Sequence, residues 1–351
     1  MDLSAYDYHL PKESIAQTPA ANRPDSKLLI LERATGKITH AKFSDISSIM
    51  GKGDVLVRNN SKVIYARLYG KKITGGKVEI LLMEKVSDQP ERWTCLYTGA
   101  KIRVGSQIYI DNKLGVEIKC TMIDKGLNGH CIVEFNMSIS TQLENIGNLP
   151  LPPYIENKNN LDDRYQTVYA SVDGSIAAPT AGLHFDQALD AKLKDNGVVF
   201  TAVTLHVGIG TFTPIKVEVI ENHKMHSEKV HIDEATIQTI NNGKRLGRNI
   251  YAVGTTTVRS LEGVASKCGK LSPYDGEVEL FIYPGFKFSI VDKLITNFHL
   301  PKTTLMAMIA AFIGQVHEDP DRGRQILVET YKQAIENDYK FYSFGDSMAI
   351  I

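Results

Sequence analysis

Hydrophobic positions change rhythm twice along this chain of 351 residues. Between roughly residues 61 and 135, apolar and polar positions alternate in short runs: KVIYARLYG, KVEILLM, RWTCLYTG, SQIYID, GVEIKCTMI and HCIVEF. Period-two alternation gives each run one core face and one wet face. GG, DN, KG and NG turn signals punctuate them. Six short strands at this spacing predict a small antiparallel barrel. The region closes in LPLPPYI, whose prolines bar helix and central strand, so it reads as a stiff linker.

From residue 160 onward the pattern differs. Apolar runs VVFTAVTLHV, NIYAVGTTTV, EVELFIY and LITNFHL alternate with helical periodicities. That is the signature of an α/β domain with a largely parallel, buried sheet. KLLILER and DVLVRN, both before residue 60, are strand-like and fit either domain. TTLMAMIAAF is apolar all round and predicts a buried helix opened by Pro301. Its apolar run is far shorter than the roughly 20 residues that cross a bilayer.

Composition alters this picture little. The chain is 43% hydrophobic and 23% charged, with 40 basic and 40 acidic residues. No global field draws it to a polyanion, so any nucleic-acid contact must be local. Residues 61–120 hold 11 Lys/Arg against 6 Asp/Glu, a local basic surplus. Cys95, Cys120, Cys131 and Cys268 form no CxxC pair and read as reduced thiols of a cytoplasmic protein. The opening MDLSAYDYHLPKES has neither the basic nor the apolar region of a secretory signal.

Candidate chemistry gathers where apolar runs end. In AAPTAGLHF, Thr180 is placed to cap a helix carrying Leu183, Leu189 and Leu193, with Gly197 just past its end. Gly182 and His184 lie in the same stretch. TLHVGIGTFTP ends a strand in His206, Gly208 and Gly210, but Thr213 stands where a dinucleotide fingerprint needs its third glycine. HKMHSEKVH lacks HExxH and a cysteine pair, so it reads as a polar substrate-facing loop and no metal site is assigned. VGTTTVRSLEG places Thr255, Thr256 and Arg259 at a strand-to-helix turn without the GK[ST] of a P-loop. There Arg259 either pairs with Glu262 or holds a ligand carboxylate. TNFHLPKTT ends a strand in Asn297 and His299. Four such strand ends converging on one sheet edge make a binding site the expected reading.

These segments, with RPDSKLLIL, RYQTVYA, MHSE, IYPGF and YSFGDSMAI, run nearly the whole chain in the order of one known family. The sequence closely resembles the S-adenosylmethionine:tRNA ribosyltransferase-isomerases of queuosine biosynthesis. The resemblance implies an α/β/α sandwich domain with an inserted small antiparallel β-barrel domain. Boundaries at 1–60 plus 155–351 and at 61–154 follow. It also implies transfer and isomerisation of the ribosyl part of S-adenosylmethionine onto 7-aminomethyl-7-deazaguanine at the tRNA wobble position. The products would be epoxyqueuosine-tRNA, adenine and methionine. S-adenosylmethionine is then a substrate, no cofactor is needed, and a cytoplasmic monomer is expected.

On this reading His206, His299 and His184 are the acid and base candidates, having an ordinary pKa near ~6.5. Thr180, Gly182, Gly208, Gly210, Thr255, Thr256, Arg259 and Asn297 line the substrate. Lys71, Lys72 and Lys101 meet tRNA. The chain departs from the family where Arg58 replaces an apolar residue, where Tyr65 replaces a proline, and in the less basic GAKIRVG at 99–105. A conventional methyltransferase and a non-catalytic tRNA-binding protein are the competing readings.

Overall fold

A computed structural model describes residues 1–351 apart from 157–160, 209–216, 218, 224 and 320. Its first strands are β1 (Lys27–Glu32), β2 (Lys37–Lys42), β3 (Val55–Asn59) and β4 (Ser61–Val63). Next come β5 (Arg67–Lys72), β6 (Lys77–Asp88), β7 (Glu91–Thr98), β8 (Gln107–Ile110), β9 (Lys119–Lys125) and β10 (His130–Phe135). After β11 (Val172–Ser175) follow β12 (Val199–Leu205), β13 (Glu228–Ile232), β14 (Ile250–Val253), β15 (Tyr274–Val278), β16 (Lys293–Asn297) and β17 (Ser347–Ile350). The helices are α1 (Leu143–Ile146), α2 (Gln187–Asp195), α3 (Glu234–Arg245), α4 (Thr255–Cys268), α5 (Thr304–Gly314) and α6 (Arg322–Glu336).

The backbone divides into two compact units. One comprises Met1–Ser61, Tyr154–Val172 and Pro179–Ile351, the other Lys62–Pro153 and Asp173–Ala178. In the second, β10-β7-β6-β5-β8-β9 close into an antiparallel barrel. Alternation is what closes it: in β10 and β7 every second residue is buried, and Ile80, Leu82, Trp93, Cys95, Ile108, Met122 and Val133 fill the interior. All six runs picked out by period-two patterning are barrel strands.

The first unit holds a nine-stranded sheet ordered β15-β13-β12-β3-β14-β16-β17-β1-β2. Its interior strand β3 is buried at all five positions, so both faces are covered. Leu56 joins Leu28, Tyr251, Val253, Ile295 and Ala349 in a core packed by Phe185, Leu189 and Leu193. The period-two pleat sends Val55 and Val57 to the opposite face, where α3 and α4 lie. The sheet is mixed rather than largely parallel. β12–β3, β3–β14, β14–β16 and β17–β1 are parallel, while β15–β13, β13–β12, β16–β17 and β1–β2 are antiparallel.

Local expectations fare unevenly. Gly197 takes φ +82° after α2, as a position past a helix end requires. Thr180 does not cap that helix: residues 180–184 form a separate 3-10 turn, and Asp186 caps α2 by accepting from Leu189 N (2.7 Å). Pro301 lies in a turn, and Thr303 caps α5 instead. That helix is buried almost throughout, as its composition implies. Among the described residues, no helix is long and apolar enough to cross a membrane.

Candidate functional site

Strand direction decides which side chains meet. β12, β3, β14 and β16 run parallel, so their C-terminal ends share one sheet edge. β17 opposes β16 and β1 follows β17, so both begin at that same edge. His206, Asn59, Gly254–Thr256, Asn297–His299, Ser343–Asp346 and Arg23–Ser26 are thereby brought to one rim. From β12 to β1 the rim crosses five strand spacings, roughly 24 Å at about 4.8 Å each.

One hydrogen-bonded chain runs along it. Thr180 Oγ1 donates to Asn297 Oδ1 (3.1 Å), and Asn297 Nδ2 meets His184 Nε2 (3.1 Å). With that amide donating to Nε2, His184 Nδ1 carries the proton and donates to Ser26 Oγ (2.8 Å). Ser26 Oγ in turn donates to the Arg23 carbonyl (3.3 Å). Thr180, His184 and Asn297 are thus brought together as the sequence implied. Ser26 and Arg23 complete the chain without having been foreseen, because the link from Ser26 to His184 spans 158 positions.

Further along the rim, Asn59 is the organiser. Its side chain donates to Leu205 O (2.9 Å), accepts from Leu205 N (3.0 Å) and approaches Thr256 Oγ1 at 3.4 Å. This holds the end of β12 against the start of α4. His206, half-buried, follows directly and donates its main-chain N–H to Lys229 O (3.1 Å). The turn into α4 requires Gly254, which adopts φ +86° with Ala181 Cβ only 3.5 Å from where its own Cβ would sit. Thr255 and Thr256 follow, both buried. The strand-end asparagine pair Asn59–Asn60 was the available signal, since polar amides closing a fully apolar strand need partners.

Several expected roles change. Arg259 is buried, and its Nη1 lies 2.5 Å from Glu228 Oε2. It does not pair with Glu262, whose carboxylate accepts from Ser289, Ile290 and Val291 N–H groups at 2.9 Å each. A guanidinium already neutralised by a protein carboxylate is a poor seat for a ligand carboxylate. Gly182 admits protein: a Cβ there would come within 2.0 Å of Tyr169 Oη. Gly208 borders open space among the described residues, and Gly210 lies outside them. Asp346 uses its two oxygens on Lys27 N and Lys340 N, at 2.7 Å each.

The histidines are not equivalent. His184 is buried, and desolvation, with a smaller contribution from Arg23, lowers its pKa from 6.5 to about 3. His299 keeps some exposure at the residue level, but desolvation of its ring lowers its pKa to about 3 as well. Its Nδ1 lies 3.4 Å from Tyr331 Oη, and its carbonyl accepts from Tyr8. The ordinary value near 6.5 expected for both does not hold, and both are neutral at pH 7.

A pH dependence follows. The folded pKa lies below the unfolded one, so this stabilisation is complete above about pH 6.5 and is lost as pH falls toward about 3. Each histidine adds a slope of up to ~1.4 kcal/mol per pH unit in that window. Denaturant titrations of wild type and His184→Gln between pH 7 and 4 are expected to show the shallower loss in the variant. Equal slopes would remove His184 from the effect.

In the barrel unit, Lys71 Nζ lies 4.0 Å from Asp111, and Lys72 Nζ donates to Ala100 O (2.6 Å). Lys125 Nζ reaches Ile102 O (3.1 Å). Two lysines therefore brace the 99–105 connection, which presents Lys101 and Arg103 to solvent. Arg58, by contrast, belongs to the large sheet. It pairs with Asp190 (2.8 Å) and its guanidinium stacks 3.8 Å from the Tyr169 ring centroid. That aromatic cover and the Asp190 carboxylate explain how a charge is accommodated on a buried strand.

An open α/β sheet that presents imidazole, amide and hydroxyl groups at a single strand edge is a ligand-binding sheet of the kind in which enzymes place their sites. The profile of the queuosine biosynthesis protein family matches residues 3–350, and the chain belongs to that family. The S-adenosylmethionine:tRNA ribosyltransferase-isomerase of Thermosipho melanesiensis is 45% identical over all of both chains. The protein of that name from Vesicomyosocius okutanii is 46% identical, covering 99% of this chain and 98% of its own. A crystal structure of S-adenosylmethionine tRNA ribosyltransferase from Thermotoga maritima covers 99% of this chain and 100% of its own, at 35% identity and a TM-score of 0.56.

Proposed function

We propose that this protein transfers the ribosyl moiety of S-adenosylmethionine to the aminomethyl group of 7-aminomethyl-7-deazaguanine at the tRNA wobble position. It isomerises that ribose to an epoxycyclopentane, forming epoxyqueuosine-tRNA and releasing adenine and methionine. The observation that carries this reading is the convergence of six polar strand ends on one edge, in a chain similar over its full length to proteins of that name. An edge of about 24 Å has room for a nucleotide and a second small molecule side by side.

The chemistry asks for three things. The carbon beside the sulfonium is acidified by the positive charge and must lose a proton. Departing adenine must gain one. Water must be kept from the intermediates. Neutral His184 and His299 are suited to hydrogen bonding and positioning; His206 is the candidate for proton transfer. Asn59 and Thr256 fix the backbone next to it. S-adenosylmethionine is consumed as a substrate, so no separate cofactor is required. A cytoplasmic monomer is the expected setting, and the free thiols Cys95, Cys120 and Cys131 suit a reducing compartment.

Chromatography of the small-molecule products tests the reaction class. Adenine and methionine are the expected products; S-adenosylhomocysteine would mean methyl transfer. Local basic charge on the barrel is assigned to tRNA phosphates. Reversing Lys71 and Lys101 to glutamate is expected to flatten the salt dependence of tRNA binding by roughly 0.7–0.9 for each phosphate that is no longer neutralised. An unchanged slope would move the footprint to the sheet unit.

A further inference from the structure

The structure leaves a ligand carboxylate without Arg259, and another part of the same rim supplies cations. Arg23 and Arg164 line an open cleft, with Ser26, His184, Ser343 and Gly345 around them. Neither guanidinium has a carboxylate within ion-pair distance among the described residues. Both are held on backbone carbonyls instead. Arg23 donates to Leu183 O (3.0 Å), Asp163 O (2.9 Å) and Gln166 O (2.8 Å). Arg164 donates to Ala21 O (3.1 Å) and Ala20 O (2.7 Å).

Carbonyl oxygens fix the two forks but do not cancel their charge. A guanidinium has five N–H donors, so each fork has donors to spare. Desolvation, followed by the like charge of Arg164, lowers the pKa of Arg23. A partly desolvated guanidinium beside a second cation is unfavourable unless an anion joins them. The hydrogen-bonded chain Thr180–Asn297–His184–Ser26 leads from the centre of the rim to the Arg23 carbonyl.

We infer that Arg23 and Arg164 form the subsite for the amino-acid carboxylate of S-adenosylmethionine. The inference rests on the proposed reaction for its ligand. It assigns to the β1 end of the rim a role that the strand-to-helix pattern suggested for Arg259. A planar fork matches a carboxylate bidentately, which an ammonium does not. His184, kept neutral beside it, adds no competing charge.

Calorimetric titration with S-adenosylmethionine and with its decarboxylated analogue, which keeps the sulfonium, ribose and adenine, tests this directly. Wild type is expected to prefer the carboxylate-bearing ligand by about 10–100-fold, as charged hydrogen bonds imply. Arg164→Gln should lose at least tenfold in affinity for S-adenosylmethionine and almost nothing for the analogue. Thermal melting reports whether the variant folds. Should it not, Arg164→Lys, which keeps the charge and loses the fork, carries the same comparison. Undiminished discrimination in a folded variant overturns the inference. So does a variant that discriminates normally but binds tRNA more weakly with a lower salt slope, which would make these arginines a phosphodiester seat. If wild type binds S-adenosylmethionine yet releases no adenine with substrate tRNA, the proposed reaction fails while the binding comparison still decides the subsite.

Discussion

Replacing His206 with alanine is expected to lower the rate of adenine release by about 10²–10⁴-fold, the range for a lost acid or base. Melting temperature and affinity for both substrates should stay near wild type. His184 and His299 have pKa values near 3, so at pH 7 neither holds a proton that it can deliver as imidazolium. His206 stands at the end of β12, beside the Asn59–Thr256 link and at the same edge. It is half-buried, and its position is set by its main-chain bond to Lys229. Single-turnover measurements of adenine release, with circular dichroism melts, check this. A folded His206→Ala protein that releases adenine at the wild-type rate would transfer the proton chemistry to groups outside these three histidines.

The second large effect falls on stability. Arg259→Ala removes one partner of Glu228, a carboxylate buried at about 4% side-chain exposure. Breaking a buried pair in this way costs about 3–5 kcal/mol. Native domains have only about 5–15 kcal/mol in all, so the variant should be close to unfolding at moderate temperature. The double variant Arg259→Met, Glu228→Gln, which removes both charges, should recover part of the loss. Chemical denaturation of the three proteins is the check. A folded Arg259→Ala protein with normal stability and a raised requirement for S-adenosylmethionine would restore this arginine to ligand binding.

Legibility in the sequence depends on range. Alternation within β5 to β10 is local, so all six barrel strands are visible there. The apolar character of α5 is local too, and its burial follows. Strand direction is a property of crossovers, and a four-residue strand such as β17 carries no periodicity to read. The expectation of a largely parallel sheet therefore meets four antiparallel pairings. EVELFIY reads as one apolar strand, yet β15 ends at Val278, where its pairing with β13 stops.

The site divides in the same manner. His184, Asn297, Thr180 and Thr256 are legible because polar residues closing apolar strands need partners. The partners are not. Ser26 meets His184 across 158 positions, and Glu228 claims Arg259 from a different strand. Arg23 and Arg164 give no signal, since an arginine in a polar stretch is ordinarily a solvated surface group. Only folding shows that backbone carbonyls hold their guanidinium groups.

The central claim is that the ribosyl group, and not the methyl group, of S-adenosylmethionine enters tRNA. Two parallel incubations with tRNA containing 7-aminomethyl-7-deazaguanine test it most directly, one with the ribose of S-adenosylmethionine isotopically labelled and one with the methyl group labelled. Ribose label is expected in a modified wobble nucleoside, stoichiometric with free adenine, and methyl label only in released methionine. Methyl label in the tRNA, or tRNA bound without either label being incorporated, would contradict it.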